Sequence, residues 1–473
     1  MTPNALTNLC RLFIGSALVL AMASAVHAQE KPYSQPGTAT PVAPPPPPPP
    51  PKSDAPADVK PATPPPAPEP NPVDKFFNGK IPEAIAKGKF NLNVRMRYEY
   101  VDQSTFSEQA NAPTVRTRFG YTTAPLYGFQ GMIEGENITV IGSEKNYNAA
   151  GSNRTTDRPV VADPPTTEMN QAWLSYTYTN WVMARGGRQR IVLDNHRFIG
   201  DVGWRQNMQT YDAMAVESKP LPGLSLFYGY LWEVNRVFGD VDGLPHTSPN
   251  RDFDSDSHLI NVSYSGWEYA RFVGYSYLLD LQNPAGAANS CATYGGYIAG
   301  SAPVHEKVSL GYRGEFAYQT DYAESPLDYG AEYYNIEASA TIKPVSFGAG
   351  YEVLGTDSNG NAPGSASFRT PLATLHAFNG WADVFLTTPA KGLRDIYGFV
   401  QVTLPCDVPV RAIYHKYEAD SGGADFGQEI NLLVSKKFGK YWTALAKYAY
   451  YDGKDVPARF DVHKIWGQVE FNF

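Results

Sequence analysis

A chain of 473 residues with only 3 cysteines and a net charge of -8 is neither a disulfide-stapled small domain nor a protein with a basic excess for nucleic acid. Beyond residue 28 no apolar run reaches the ~20 residues that a membrane helix requires.

In chain order, Arg11, the apolar run Leu12 to Ala23 and the small-residue site Val26-His27-Ala28 read as a cleaved secretory signal over residues 1–28. Cys10 leaves with it, and the mature chain starts near Gln29. Residues 29–72 are dominated by proline, with an unbroken run from Pro44 to Pro51, so they form a disordered linker without a core. Such a segment is either a passive spacer or an arm that threads or binds the peptidoglycan wall. Residues 73–89 read as a short periplasmic helix or lead-in, with Phe76, Phe77, Ile81 and Ile85 on its apolar side near a barrel mouth.

From residue 90 to 473 the pattern changes to segments of about ten residues in which apolar and polar positions alternate. Phe90 to Tyr100 places Arg95, Arg97 and Glu99 on one face, and Val308 to Tyr318 opposes Ser309, Arg313 and Glu315 to Leu310, Tyr312 and Phe316. The last segment, Phe460 to Phe473, alternates Ile465, Gly467, Val469, Phe471 and Phe473 with Lys464, Gln468, Glu470 and Asn472. A soluble sandwich shows such alternation too. The secretion signal, the terminal aromatic strand and tyrosines at strand ends (Tyr448, Tyr450, Tyr451) favour the outer membrane. Phe471 and Phe473 then form the insertion signal read by the barrel-assembly machinery, and the outward residues face outer-membrane lipids.

Tight turns fall at Pro125 to Gly128, Thr179-Asn180, Pro220 to Gly223, Ser265 to Trp267, Ala302 to His305, Lys343-Pro344, Pro405 to Pro409 and Gly439-Lys440. Long polar connections, notably Thr139 to Thr166, Val192 to Met208, Val234 to Ser257 and Gly355 to Gly392, lie between them. With Ser290 to Ala299 counted as a strand, the fold class is all-β, a transmembrane antiparallel β-barrel of about 18 strands with both termini in the periplasm. Cys291 and Cys406 then sit at opposite ends of the barrel, too far apart for a disulfide.

The first 88 residues hold 7 basic and 6 acidic side chains, so of the 39 and 47 in the whole chain the barrel carries 32 and 41. Asp240 and Asp242 share one acidic loop with Asp252, Asp254 and Asp256. The last three begin like a calcium site, but Ser257 and Ser263 stand where a glycine and a glutamate are needed, so no metal is assigned. On the inner faces Arg95, Arg97, Arg116, Arg118, Lys307, Arg313, Arg411 and Lys447 stand among Glu99, Glu134, Glu136, Glu315, Glu337, Glu352, Glu429 and Glu470. This wall is either a polar lumen shaped by salt bridges or an arginine-lined path for an anionic solute, since guanidinium forks bind carboxylates bidentately. Arg188 shares the parity of Val182, Ala184 and Gly186 and needs a bulge at Gly186-Gly187 to face inward.

Two stretches are too elaborate for plain connections. One holds Gly187-Arg188-Gln189-Arg190, Asp194, Arg197-Phe198-Ile199-Gly200, Trp204-Arg205-Gln206-Asn207, Gln209 and Asp212-Ala213; the other runs from Phe368 to Asp383. Apolar residues in an outer loop fold it back over the barrel. With Arg-Met-Arg-Tyr-Glu at 95–99, these motifs are where the chain resembles the alginate-export family of outer-membrane channels, over about residues 90–473. The resemblance implies an eighteen-stranded monomeric barrel whose electropositive pore passes an anionic polysaccharide and is gated by loops. The acid-rich wall departs from a strongly basic conduit.

The reading is a channel for an anionic or polar saccharide. Its pore-lining residues are Arg95, Arg97, Glu99, Arg116, Arg118, Glu134, Glu136, Arg188, Arg205, Arg313 and Arg411, and its constrictions carry Trp204, Asn207, His376, Trp381 and Asp383. The alternatives are a general polar-solute porin and a plugged barrel that ties the membrane to the wall. No cofactor is called for. No His-Glu-x-x-His pair or Gly-x-Ser-x-Gly elbow occurs, and His196 near Asp194 is the one faint enzymatic pairing.

Overall fold

The computed structural model describes residues 80–179, 181–239, 251–283, 286–357, 366–455 and 460–473. The signal, the proline-rich linker, residues 73–79 and Asp240 and Asp242 lie outside the described residues.

The described part of the lead-in holds one short helix, α1 (Ile81–Ala86), with a proline in its first turn. It ends before Gly88, and Lys89 already belongs to a strand, so the helix stops short of residue 89. α1 docks on the periplasmic end of the barrel, where Ala124 N donates to Ala84 O at 3.0 Å and the Tyr121 hydroxyl to Ile85 O.

The strands are β1 (Lys89–Gln103), β2 (Ala110–Thr122), β3 (Phe129–Val140), β4 (Thr166–Tyr178), β5 (Val182–Gln189) and β6 (Thr210–Leu221). Then come β7 (Leu224–Asn235), β8 (Asp252–Trp267), β9 (Ala270–Leu279), β10 (Cys291–His305), β11 (Val308–Asp321) and β12 (Gly330–Ile342). The last six are β13 (Val345–Leu354), β14 (Leu393–Leu404), β15 (Val408–Glu418), β16 (Asp425–Phe438), β17 (Trp442–Asp452) and β18 (Asp461–Asn472). They form one 18-stranded antiparallel sheet that closes because β1 pairs with both β2 and β18. A closed sheet has no edge, so every strand can satisfy its backbone groups inside lipid.

The period of two sorts side chains between lipid and lumen. Met96, Phe119, Ile133, Leu174, Ile336, Ile430 and Ile465 are exposed on the outside, while Arg97, Arg116, Glu136, Glu429, Lys447 and Lys464 are buried inside. A one-residue slip would turn each arginine into lipid at a cost of about 2–4 kcal/mol near the bilayer centre, which pins the register.

Several connections differ from the sequence reading. β8 runs on to Trp267, which pairs with Ala270, and β10 runs on to His305, which pairs with Val308. The turns are therefore Glu268-Tyr269 and Glu306-Lys307. Serine, glycine and proline at 265, 266 and 303 imitate turn signals, but register shifts absorb them within the strands. Lys307 is consequently an exposed turn residue, not an inner-face cation. Asp252, Asp254 and Asp256 belong to β8, not to a loop. Tyr451 is fully buried on the lumen side, unlike Tyr448 and Tyr450, because its parity is opposite to theirs. Cys291 is buried at the outer start of β10, Cys406 is exposed in the β14–β15 turn, and both are free.

Phe473 exchanges two backbone hydrogen bonds with Leu92, at 2.9 and 3.1 Å, and its ring packs 5.6 Å from that of Tyr441. Deleting Phe473 is expected to leave secretion intact and to lower the yield of heat-modifiable, inserted barrel. Normal yield would show that the terminal clasp is dispensable. For topology, a cysteine at exposed Lys391, in the β13–β14 connection, should react with an impermeant reagent on intact cells, and Cys406 should not.

Candidate functional site

Two outer connections turn inward and fill part of the lumen. Residues 190–209, between β5 and β6, meet residues 366–386, between β13 and β14, along a short parallel bridge of Ile199 with Leu372. Gly200 N donates to Leu372 O at 2.9 Å, Thr374 N to His196 O at 3.0 Å, and the Tyr211 hydroxyl to Gly200 O at 2.6 Å. A Cβ at position 200 would come within 2.3 Å of Thr374 Oγ1, so this crossing requires glycine. Phe198 and Phe368 anchor the two loops in one cluster with Tyr275, Tyr277 and Tyr333. The apolar residues of both motifs thus drive the loops into the barrel, not merely over it. Asn379 is accordingly buried.

The wall arginines hold this plug. Arg95 and Arg116 face each other across β1 and β2, and Glu470 on β18 pairs with both, at 3.2 and 3.3 Å. Arg95 also donates to the carbonyls of Gly203 (3.0 Å) and Trp204 (3.2 Å), and Arg116 and Arg118 donate to Gln206 O at 3.4 and 3.2 Å. Arg118 is paired with Glu136. Arg97 donates to Gln468 and lies 4.1 Å above the Trp204 ring. Arg95, Arg97, Arg116 and Arg118 therefore do stand together on one wall, but beneath a loop.

From the loop side, Arg205 reaches Glu99 at 3.0 Å and Asp383 at 2.9 Å. Asp383 also receives Lys464 at 2.7 Å and lies 2.6 Å from His376 Nδ1, while His376 Nε2 is 2.6 Å from Lys447 Nζ. That ammonium is 3.7 Å from the Trp381 ring and 4.2 Å from that of Trp204. Arg197 pairs with Glu352 at 2.8 Å, Asn379 donates to Glu352 and Asp395, and Ala382 N donates to Glu429. Burial alone would raise the Asp383 pKa, but His376, Lys464 and Arg205 hold it well below the usual carboxylate range. Burial lowers that of His376, which stays neutral between Asp383 and Lys447.

The other expected site residues are scattered. Glu134 accepts from Asn170 and Gln171, Arg313 pairs with Glu315 at 2.7 Å, Arg411 lies 4.6 Å over Phe399, and Asn207 is fully buried beneath its loop. Arg188 does not face the lumen. It stands in register with Asp212, two positions from the Gly186–Met214 pair on the outward pleat, and binds Asp212 at 2.7 and 2.9 Å. Gly187, at φ 116°, does not reverse that parity. His196 Nδ1 lies near Asp201 and Thr374, whereas Asp194 binds Asn261, Arg271 and Tyr297.

Below residues 190–194, on the side of β5 to β9, the lumen keeps a cavity of about 440 Å³ lined by Arg185, Arg190, Lys219 and Arg271 against Asp194 and Glu217. It opens toward the periplasmic half, since Lys219 and Arg271 lie beside periplasmic turns. These four cations were not singled out as a group from the sequence. Arg271 could have been, because it shares the parity of Val273, Tyr275 and Tyr277, which point inward.

A closed barrel with an apolar outer band and loops folded into a charged lumen is the architecture of a bacterial outer-membrane channel. The family model described as alginate export matches residues 85–232, from α1 into β7, so the resemblance to that family holds over this part of the chain. Among solved structures the chain is similar to Acinetobacter baumannii OccAB2, with a TM-score of 0.64 and 12% identity over 82% of this chain and 99% of that one. Pseudomonas aeruginosa OpdK with vanillate gives a TM-score of 0.62 at 14% identity over 82% and 100%, and Pseudomonas aeruginosa OpdL 0.60 at 15% over 82% and 99%. A comparison with curated proteins finds no match.

Arg205→Ala would leave Glu99 and Asp383 buried without their guanidinium, at a cost of about 3–5 kcal/mol to the seating of the plug. Larger or noisier single-channel currents from a normally inserted barrel are the expected result, and wild-type currents would show that the seat lies elsewhere. A depressed carboxylate pKa stabilises the folded form above the unfolded carboxylate value, and this is lost only as pH falls through the folded value. The Asp383 seat should therefore hold from neutral to mildly acid pH and loosen, with larger currents, only in strong acid.

Proposed function

We propose that this protein is an outer-membrane channel for an anionic or polar saccharide, an alginate-like polymer or its oligomers. The observation that carries the reading is the basic cavity left open beside the plug. Arg190 and Arg271 keep about half of their side-chain surface accessible (50% and 45%) although each touches a carboxylate. They can exchange that partner for the carboxylate of a sugar acid, and contacts weak enough to exchange are what conduction requires. In this reading Arg95, Arg97, Arg116, Arg118, Glu99, Glu134, Glu136, Arg205, Arg313 and Arg411 shape the lumen and its field. Trp204, Asn207, His376, Trp381 and Asp383 belong to the constriction, which moves aside when a polymer passes.

Two alternatives have their own support. The cavity is small, and the similar OpdK is described with vanillate, a small carboxylate, which suits a pore for small polar solutes. The ion-paired plug suits a barrel that ties the membrane to the wall through its proline-rich arm.

In a planar bilayer, replacing Arg185 and Arg271 together by glutamate should lower the anion-to-cation permeability ratio. It should also raise the half-blocking concentration of a uronate oligosaccharide about tenfold, roughly the worth of one charge-assisted hydrogen bond. Replacing Arg97 and Arg118 by glutamate should instead disturb gating as well as selectivity, because they seat the plug. If selectivity and block stay at wild-type values in both variants, the polyanion reading yields to a general pore. A wild-type protein that inserts without conducting would favour the attachment barrel.

A further inference from the structure

On the extracellular side of the plug the barrel mouth holds a second pocket, of about 280 Å³, lined among others by Arg236, Asn289, Arg369, Thr370, Thr387 and Thr388. Its lining comes from Arg236 after β7, Phe253 at the start of β8, Asn289 before β10 and residues 369–388 between β13 and β14, all at the outer end. Nothing in the lumen cavity contributes to it.

Arg369 is unlike the other arginines of the two inward loops. Arg190 has Asp201, Arg197 has Glu352, and Arg205 has Glu99 and Asp383. Arg369 makes no ion pair among the described residues. Its Nη1 donates only to the Asn289 amide oxygen, at 3.3 Å, and its Nε is buried with no hydrogen-bond partner. A buried N–H of a charged group left without an acceptor is costly, and a bound water, ion or ligand is among the ordinary ways such a group is satisfied.

Its position is nevertheless held firmly. Arg369 N donates to Gln319 Oε1 at 2.7 Å, and Gln319 Nε2 returns a bond to Arg369 O at 2.8 Å. Gln319 is in turn held by Thr293 and the Tyr329 hydroxyl, both at 2.8 Å. The fixed main chain sets where the side chain starts, the Asn289 contact orients the guanidinium, and no counter-ion has to be displaced by an incoming anion. Around it stand three threonine hydroxyls and an amide, groups suited to sugar hydroxyls. Arg236, 4.6 Å over the Phe253 ring, adds a second cation to the lining.

We infer that this pocket is an extracellular subsite for one uronate unit of a saccharide: Arg369 takes the carboxylate and the threonines with Asn289 take ring hydroxyls. The inference rests on the saccharide reading and adds a docking point at the mouth, separated by the plug from Arg185 and Arg271. A chain held at both points would span the constriction.

The test uses the full-length protein in an oriented planar bilayer, with trigalacturonate added to one chamber at a time and maltotriose as the neutral control. Arg369→Gln should raise the half-blocking concentration about tenfold from the extracellular chamber and leave periplasmic block unchanged; Arg369→Lys, which keeps charge without the fork, should fall between. Equal block by Arg369→Gln and wild type from the extracellular chamber overturns the subsite and leaves the saccharide channel standing. A wild-type channel that trigalacturonate blocks from neither chamber overturns both. Should Arg369→Gln fail to insert, the Thr387→Val, Thr388→Val double variant decides: weaker extracellular block supports the subsite, and wild-type block overturns it. Block by maltotriose as strong as by trigalacturonate also overturns it, because the carboxylate would then have no role.

Discussion

Lipid offers no hydrogen bonds, and from that single constraint most of this molecule follows. A backbone crossing the membrane as strands must close its ladder, which the pairing of β1 with β18 accomplishes. Once the ladder is closed, the period of two leaves each side chain only two environments. Hydrocarbon takes the apolar half, so most of the charge on the strands is driven into one narrow space. The lumen is charged by exclusion before it is charged for any purpose.

Charges confined in that way have to be neutralised locally. Glu470 relieves the facing pair Arg95 and Arg116, and Glu136 relieves Arg118. A few strands along, on β13, β14 and β16, Glu352, Asp395 and Glu429 are met by Arg197, Asn379 and the Ala382 amide, all brought in by loops. The plug thus answers an arginine-rich stretch of wall and a neighbouring acidic one. Loop cover is thin beside β5 to β9, and there Arg190 and Arg271 keep about half of their side chains accessible.

The barrel was readable from the sequence because strand alternation and turn chemistry are local. The count of strands, the terminal clasp and the placement of both cysteines all follow from period and spacing. Where local signals mislead, as at Ser265-Gly266 and Pro303, the strand simply continues through the irregularity. Inward-folding loops were foreshadowed by aromatic residues such as Phe198 and Phe368. Their partners were not, because the contact of Arg205 with Glu99 or of Arg197 with Glu352 joins residues far apart in sequence and is set by loop geometry. Arg188 shows the same limit in reverse: its motif suggested the pore, while its parity gave the outward face. The basic cavity escaped notice because its members come from separate strands and become a group only when the loops leave them uncovered.

The wall arginines grasp the 190–209 loop largely through main-chain oxygens, those of Gly203, Trp204 and Gln206. A carbonyl is the same in every residue, so this grip does not read the loop's side chains. Apart from Arg197, Trp204 and Arg205, whose side chains are themselves held, the loop behaves as an insert in a constant socket and can vary in sequence without loosening how it is mounted. Divergence in selectivity among channels built this way requires neither a new barrel nor a new latch.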